Sequence, residues 1–155
     1  MRLILNLIKN IIMVNHILLD TLQRALKKQG LKFTSQRIAV FEEIINHSGH
    51  RECEDIYLSL KKKSKQVSRA TVYRTMEILI KNDFARKMDI ENSGSLYESK
   101  INNPHHDHLI CTSCSKILEF IDEEIERLQI EIAKKNNFII NRHIHQLFGI
   151  CKQCQ

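Results

Sequence analysis

Two Cys-x-x-Cys pairs constrain the fold of this chain more than any other feature. Cys111 and Cys114 form the first pair, and Cys151 and Cys154 form the second. Two pairs of thiolates at this spacing can surround one ion as a tetrahedron, the arrangement typical of structural zinc. Binding of such an ion contributes folding free energy of about 10 kcal/mol. We therefore expect the segment between the pairs to close into a small zinc-stabilised domain.

The other interpretation of these cysteines is a pair of redox dithiols or disulfides. The fifth cysteine, Cys53, belongs to neither pair. Nothing else in the sequence resembles the disulfide framework of a secreted protein. A reducing compartment fits the cysteines best, so we predict a cytoplasmic protein. Cys53 is expected to be a buried small hydrophobic residue.

A second group of metal ligands lies just before the first cysteine pair, where residues 105–108 read His-His-Asp-His. If this segment is extended, His106 and His108 point to one face and His105 and Asp107 to the other. Imidazoles mixed with carboxylates suit an exchangeable divalent ion, so we predict two distinct sites flanking the segment. Spacing alone leaves open whether four further residues contribute to them: Glu98, Glu119, Glu126 and His143. Three isolated histidines are expected to be ordinary packed or solvated residues: His16, His47 and His145.

The length and the charge distribution favour a basic first half that binds a polyanion. A chain of 155 residues can form one or two compact domains. Residues 1–90 carry 17 Lys and Arg against 9 Asp and Glu, whereas residues 91–155 carry 7 against 9. The positive charge therefore lies in the first half of the chain.

Apolar residues at helical spacing predict four helices in this first half. Gly30 would end the first helix, Thr34 or Ser35 would cap the second, and Ser68 would cap the fourth. Residues 84–98 then predict a β-hairpin. This order of elements is that of a winged helix-turn-helix.

The second half predicts a small α+β domain. Pro104, the only proline, marks a linker, and short strands are expected at 109–111 and 116–120. Asp122 would cap a helix, and residues 138–148 alternate loosely as a strand that runs into the second cysteine pair.

The fourth helix would present the DNA-reading surface. Its face opposite the core carries Arg69, Thr71, Tyr73 and Arg74, of which Arg can bond base edges and Tyr can contact thymine methyl groups. Phosphate contacts are expected from lysines that lie before this helix: Lys32, Lys61, Lys62, Lys63 and Lys65.

The first 14 residues are apolar enough to resemble a signal peptide or a short anchor. Lys9 and nearby asparagines interrupt this run, no small-residue cleavage site follows, and the run is far shorter than the roughly 20 residues that span a bilayer. We expect either extra helical turns or translation starting at Met13, and no membrane association.

Four separated motifs resemble the ferric uptake regulator (Fur) family of bacterial metal-dependent repressors. The run from His105 to Cys114, HHDHLICTSC, followed by Leu118-Glu119-Phe120, is similar to the family hallmark, and the segment Ala70 to Arg74, ATVYR, is similar to its recognition helix. The similarity extends from about Leu26 to Cys154. Ser115 departs from the pattern, because the family usually has glycine there, with more backbone freedom.

The resemblance implies an α+β protein in which an N-terminal winged helix-turn-helix domain is joined by a hinge to a small α/β dimerisation domain. On this sequence the N-terminal extension covers 1–15, the DNA-binding domain 16–99, the hinge 100–104 and the metal-binding dimerisation domain 105–155. A homodimer bound to double-stranded DNA at an A/T-rich inverted operator is implied.

The resemblance also implies three metal sites. The structural zinc falls on Cys111, Cys114, Cys151 and Cys154. The regulatory metal falls on His50, Glu98, His106, His108 and Glu119. A further site falls on His105, Asp107, Glu126 and His143.

Fe(II) is the expected regulatory metal, with Mn(II) or Zn(II) as alternatives, because nitrogen and oxygen ligands narrow the choice without fixing it. Peroxide-sensing members of the family carry Asp at the positions of Glu98 and Glu119, so Glu at both positions favours iron. The expected function is an Fe(II)-dependent repressor of iron-uptake genes, and a peroxide-, manganese- or zinc-sensing regulator is the alternative.

Two other classes of protein remain open at this point. A metal-dependent hydrolase or a thiol oxidoreductase could use ligands of the same types, but no nucleophile or phosphate-binding glycine motif accompanies them, and the chain has only four glycines. We therefore expect no enzymatic activity. A zinc-stabilised interaction module that does not bind DNA is the remaining possibility.

Overall fold

The computed structural model describes residues 16–90, 94–101 and 103–155. The N-terminal extension expected for residues 1–15 and residues 91–93 of the predicted hairpin lie outside the described residues. The chain divides into two compact units, an N-terminal one within residues 1–102 and a C-terminal one built mainly from residues 103–155.

The N-terminal unit contains the predicted helices and hairpin. Helix α1 is described over residues 16–28. It is followed by α2 (Ser35–Ile45), α3 (Cys53–Lys62), α4 (Arg69–Lys81), β1 (Ala85–Ile90) and β2 (Gly94–Ser99). The two strands pair as a two-stranded sheet, so the unit is a winged helix-turn-helix.

Local signals in the sequence fix where these helices begin and end. The hydroxyl of Thr34 accepts a hydrogen bond from the backbone N–H of Arg37, and the hydroxyl of Ser68 accepts one from Thr71. Gly30 follows α1 with a φ of 66°, the left-handed conformation that glycine adopts without strain. The predicted caps are confirmed.

One hydrophobic core holds the N-terminal unit together. The rings of Phe41 and Phe84 meet edge to face at 5.2 Å and join α2 to the start of the hairpin. Fully buried side chains from all four helices surround them: Leu22, Leu26, Val40, Ile44, Ile56, Val72 and Leu79. Each such residue stabilises the fold by about 1.5–3 kcal/mol. Cys53 is buried in the same core, as expected.

The C-terminal unit is a three-stranded sheet with one helix. Its elements are β3 (Asp107–Cys111), β4 (Ile117–Phe120), α5 (Glu123–Lys135) and β5 (Gln146–Gly149). The strand order is β4-β3-β5, with β3 antiparallel to β4 and parallel to β5. Asp122 caps α5 by accepting hydrogen bonds from the N–H groups of Glu124 and Ile125, which confirms that prediction.

The strand predicted over residues 138–148 is much shorter than expected. Only Gln146–Gly149 is a strand, and residues 138–145 are irregular. The reason is the length of its partner, because β3 pairs with β5 over only four residue positions, from His108 opposite Gln146 to Cys111 opposite Gly149. The earlier apolar residues, such as Ile139, stay exposed. Among the described residues no helix is long and apolar enough to cross a membrane.

Candidate metal centres and DNA-recognition helix

The four paired cysteines converge in the C-terminal unit. Their Sγ atoms all lie within 4.8 Å of one another, and those of Cys114 and Cys151 are 3.7 Å apart. None of the described cysteines forms a disulfide. A tetrahedral zinc ion with bonds of about 2.3 Å would separate its sulfur ligands by about 3.8 Å, so the cluster fits one zinc ion and argues against a redox pair.

The backbone around the cluster favours thiolates. The N–H of Cys151 donates to the Sγ of Cys111 at 3.3 Å and, with other backbone N–H groups, lowers the pKa of Cys111 to about 6. Hydrogen bonding to the neighbouring Cys114 sulfur raises the pKa of Cys154 to about 12. Four sulfurs this close cannot all become thiolates without a cation to neutralise them, which is the chemistry that a divalent ion supplies.

A second ligand cluster in the same unit combines His105, Asp107, Glu126 and His143. The Nε2 atoms of the two histidines are 2.8 Å apart. Oε1 of Glu126 lies 3.2 Å from the His105 Nε2 and 3.3 Å from the His143 Nε2. Oδ1 of Asp107 lies 3.5 and 3.7 Å from the same two atoms. These separations scatter around the roughly 3.3 Å expected between nitrogen and oxygen ligands of a tetrahedral zinc ion.

The carboxylate of Asp107 gives an independent reason to expect a cation there. The side chain is 1% exposed, and its Oδ1 atom is buried without a hydrogen-bond partner among the described residues. A buried carboxylate oxygen that lacks compensation costs several kcal/mol. Because two imidazole nitrogens face the same point, the residues fit a bound metal ion.

The opposite face of β3 carries the other two histidines of the segment. The rings of His106 and His108 are 4.8 Å apart, and Nε2 of His106 lies 3.8 Å from Oε1 of Glu119 on β4. This placement follows from the register, which sets His108 opposite Glu119. The alternation predicted for residues 105–108 is therefore confirmed within the C-terminal unit.

The N-terminal unit holds a smaller group of potential metal ligands, also a histidine and a carboxylate. Nε2 of His50 lies 3.6 Å from Oε2 of Glu98, which is 2% exposed and is also paired with the guanidinium of Arg86 at 3.1 Å. Arg51 exchanges two backbone hydrogen bonds with Tyr97, at 2.9 and 2.8 Å. His50 and Glu98 adjoin this pair in sequence, so the bridge holds them side by side. One imidazole and one carboxylate are too few ligands to close a coordination shell.

The face of α4 opposite the core carries the four predicted residues, but one of them, Arg69, is engaged by α3 although its side chain is 58% exposed. Tyr73 is 50% exposed, Arg74 is exposed and Thr71 is half-buried. The guanidinium of Arg69, however, donates two hydrogen bonds to Glu54 on α3, at 2.7 and 2.6 Å, and stacks over the Tyr57 ring at 4.2 Å. Arg69 is thus engaged in packing α3 against α4.

The lysines expected to contact phosphate also differ in their surroundings. All five are exposed, but the Nζ of Lys63 is also 2.6 Å from the buried carboxylate of Glu43.

His145, which was expected to be a packed or solvated histidine, contacts one of the candidate ligands. Its Nδ1 lies 3.3 Å from Oδ2 of Asp107. The signal in the sequence was its position two residues after His143, a spacing that in an extended chain places both side chains on one face.

A winged helix with an exposed reading helix, combined with a cysteine cluster and histidine-carboxylate clusters, defines a metal-responsive transcriptional regulator. Residues 28–148 match the model of the Ferric uptake regulator family. The chain belongs to this family, whose members are DNA-binding dimers and transcriptional regulators rather than enzymes. The predicted family, fold class and regulatory function are confirmed.

Individual relatives agree with this assignment. The chain is 38% identical over 138 residues to the ferric uptake regulation protein of Helicobacter pylori, covering 89% of this chain and 91% of that one. It is 36% identical over 140 residues to that of Campylobacter upsaliensis, covering 89% of each. The solved structure of the H. pylori ferric uptake regulator, which reveals three functional metal binding sites, matches with a TM-score of 0.80 at 36% identity, over 90% of this chain and 93% of that one.

Proposed function

We propose that this chain is an iron-responsive repressor that acts in the cytoplasm and controls iron-uptake genes. Two incomplete groups of ligands, one in each unit, carry the proposal, because each offers at most three protein ligands, fewer than a closed site has. His50 and Glu98 would come from one unit, and His106, His108 and Glu119 from the other. Glu rather than Asp at positions 98 and 119 favours iron over peroxide sensing, and the relatives named above are ferric uptake regulation proteins.

In this proposal residues 16–99 bind DNA, 100–104 form a hinge and 105–155 hold metal and the dimer contact. Exposed apolar residues on α5 and β5 support a dimer surface, since Ile132 is 61% exposed and Leu147 is 42% exposed. An apolar surface of this kind in a small domain indicates an interface with another chain.

The five regulatory ligands would act by favouring one arrangement of the two units. A cation shared by both groups would supply the charge that holds the carboxylates and imidazoles together. A shift between arrangements from 1:99 to 99:1 requires about 5.5 kcal/mol of differential affinity. In a dimer with metal bound, the two α4 helices would then lie at the spacing of the operator and bind it. Loss of the metal would release the protein from DNA.

The other two clusters are assigned to zinc at the four cysteines and to a further metal at His105, Asp107, Glu126 and His143. The four sulfurs suit a permanent structural ion, because thiolates bind zinc tightly and leave no open position. The second cluster has an exposed histidine and two carboxylates, which suit a more exchangeable ion.

For the DNA contact we assign base reading to Tyr73 and Arg74 and phosphate contact to Lys32. Thr71 lies on the same face, and Arg69 is assigned to positioning the helix because Glu54 and Tyr57 engage its guanidinium. The operator would be an A/T-rich inverted repeat, since a symmetric dimer presents two identical reading helices.

The proposal is tested by binding to a DNA duplex that the Mn(II)-loaded protein has selected from a random pool. We expect Fe(II) and Mn(II) to promote binding, and the double variant His106→Ala, His108→Ala to lose this response while elemental analysis still finds one tightly held zinc. The matched control is His16→Ala with His47→Ala, which removes two isolated histidines. An unchanged metal response in the first double variant would refute the regulatory assignment, and a response to Zn(II) alone would identify a zinc sensor instead.

A further inference from the structure

The two carboxylate oxygens of Asp107 have different surroundings. Oδ1 faces the Nε2 atoms of His105 and His143 at 3.5 and 3.7 Å. Oδ2 points to Nδ1 of His145 at 3.3 Å. His145 therefore contacts the oxygen that faces away from the other ligand atoms of this cluster.

The backbone of His145 is held by β3, and its ring contacts β4. The backbone N–H of His108 donates to the carbonyl of His145 at 3.3 Å, immediately before β5 begins to pair with β3. The ring also contacts that of Phe120 on β4, with centroids 5.9 Å apart. A residue with its backbone bonded and its ring packed in this way can in turn restrict the carboxylate that the ring contacts.

We propose that His145 is a positioning residue of the metal centre formed by His105, Asp107, Glu126 and His143. With its proton on Nδ1, His145 donates a hydrogen bond to Oδ2 of Asp107 and so holds Oδ1 toward the other ligand atoms. The hydrogen bond also compensates the burial of the second oxygen of a carboxylate that is 1% exposed. This inference rests on the centre proposed above and assigns it a residue outside its four ligands.

The geometry separates this role from that of a fifth ligand. The four ligand atoms lie within 4.8 Å of one another without any atom of His145. Partners that orient metal ligands typically change metal affinity by about 10–100-fold when they are removed. A ligand carboxylate with one free oxygen could otherwise rotate away from the site.

The test compares metal affinity across variants of the full-length protein, with Co(II) as the spectroscopic probe and a chromogenic chelator as competitor. We expect His145→Leu to weaken Co(II) binding at this centre by about 10–100-fold with little change in the shape of the absorption band. His145→Asn should restore most of the affinity, because its amide N–H can occupy the place of Nδ1–H. His145→Gln should not, because its amide lies one bond further out.

Controls separate the possible failures. His47→Leu removes an exposed histidine from the N-terminal unit and should bind as the parent does. If His145→Leu binds Co(II) as tightly as the parent, the positioning role is wrong. If His145→Asn is as weak as His145→Leu and the band changes shape, His145 is a ligand and the proposal is likewise overturned. If His145→Leu does not fold, the comparison of His145→Asn with His145→Gln still decides.

A failure of the centre itself gives a different result. The double variant His105→Ala, His143→Ala should bind one Co(II) fewer than the parent, while its zinc content stays the same. Equal stoichiometry in parent and double variant would show that the proposed centre does not exist, whatever the His145 variants do.

Discussion

At the scale of single residues, Glu43 is a buried charge of the N-terminal unit that is held by two cationic side chains. Its carboxylate lies 2.8 Å from the guanidinium of Arg51 and 2.6 Å from the Nζ of Lys63. Burial raises the pKa of Glu43, but hydrogen bonds from Lys63, Ser59 and Arg51 outweigh this effect and lower it to about 2. Arg51 is also the residue that follows His50, so this pair supports a proposed metal ligand.

The lowered pKa of Glu43 predicts an acid-sensitive stability. Its pKa is about 2 in the folded chain against 4.5 for an ordinary carboxyl, so the contribution is present above about pH 4.5 and is lost as the pH falls toward 2. The contribution is about 3 kcal/mol. Glu43→Gln should lower the free energy of unfolding in urea at pH 7, and the difference from the parent should shrink below pH 4. Glu42→Gln, an exposed neighbour on α2, is the control, and an equal loss in both variants would contradict the prediction.

The backbone conformation of Ser115 supports a second prediction about stability. Its φ is 58°, in the left-handed region where residues with a Cβ are strained. Serine in place of the glycine that is usual in the family therefore lowers the stability, but it removes no metal ligand. We expect Ser115→Gly to leave the stability of the zinc-loaded protein unchanged or to raise it by up to about 1 kcal/mol, and Ser115→Val to lower it by about 1–2 kcal/mol. Thermal unfolding measures both, and a stabilising Ser115→Val would contradict the argument.

At the scale of elements, α4 carries residues proposed to read DNA beside Arg69, which is proposed to position the helix. Arg74→Ala should weaken binding to the selected operator by about 1–3 kcal/mol and relax its specificity. Lys32→Ala should weaken binding to all sequences alike and reduce the salt slope by about one. Affinities measured at several salt concentrations on operator and random DNA distinguish the two effects. An equal loss on both DNAs for Arg74→Ala would make Arg74 a phosphate contact.

The same elements show what sequence could predict and why the rest escaped it. The helix boundaries at Gly30, Thr34, Ser68 and Asp122 were predictable because a cap is decided by a few adjacent residues. The short β5 was not, because its length depends on β3, almost forty residues earlier. The strand faces on which the histidines lie were also predictable, because side chains alternate between faces along an extended segment such as β3, which is again a local property. The pairing of Arg69 with Glu54 depends on how two helices pack, which no local pattern shows.

At the scale of the whole molecule, the two units are stabilised in different ways. The main core cluster lies entirely in the N-terminal unit, whereas the buried apolar residues described within 103–155 are Ile110, Cys111 and Ala133. So small a core cannot offset the conformational entropy of more than fifty residues. We therefore expect the proposed zinc site, together with the proposed dimer surface, to supply much of the folding free energy of the C-terminal unit.

Removal of zinc should consequently unfold one unit and spare the other. A strong chelator is expected to abolish protection from amide hydrogen exchange in residues 103–155, because an ion worth about 10 kcal/mol of folding free energy is lost. Protection in α2, α3 and α4 should persist, since their core contains no metal ligand.

Size-exclusion chromatography should show loss of the dimer at the same chelator concentration, because the proposed dimer surface lies on α5 and β5. A variant with Cys53→Ala, which removes the one cysteine outside the cluster, should respond as the parent does. Simultaneous loss of protection in both units would show that the N-terminal unit does not fold independently of the zinc.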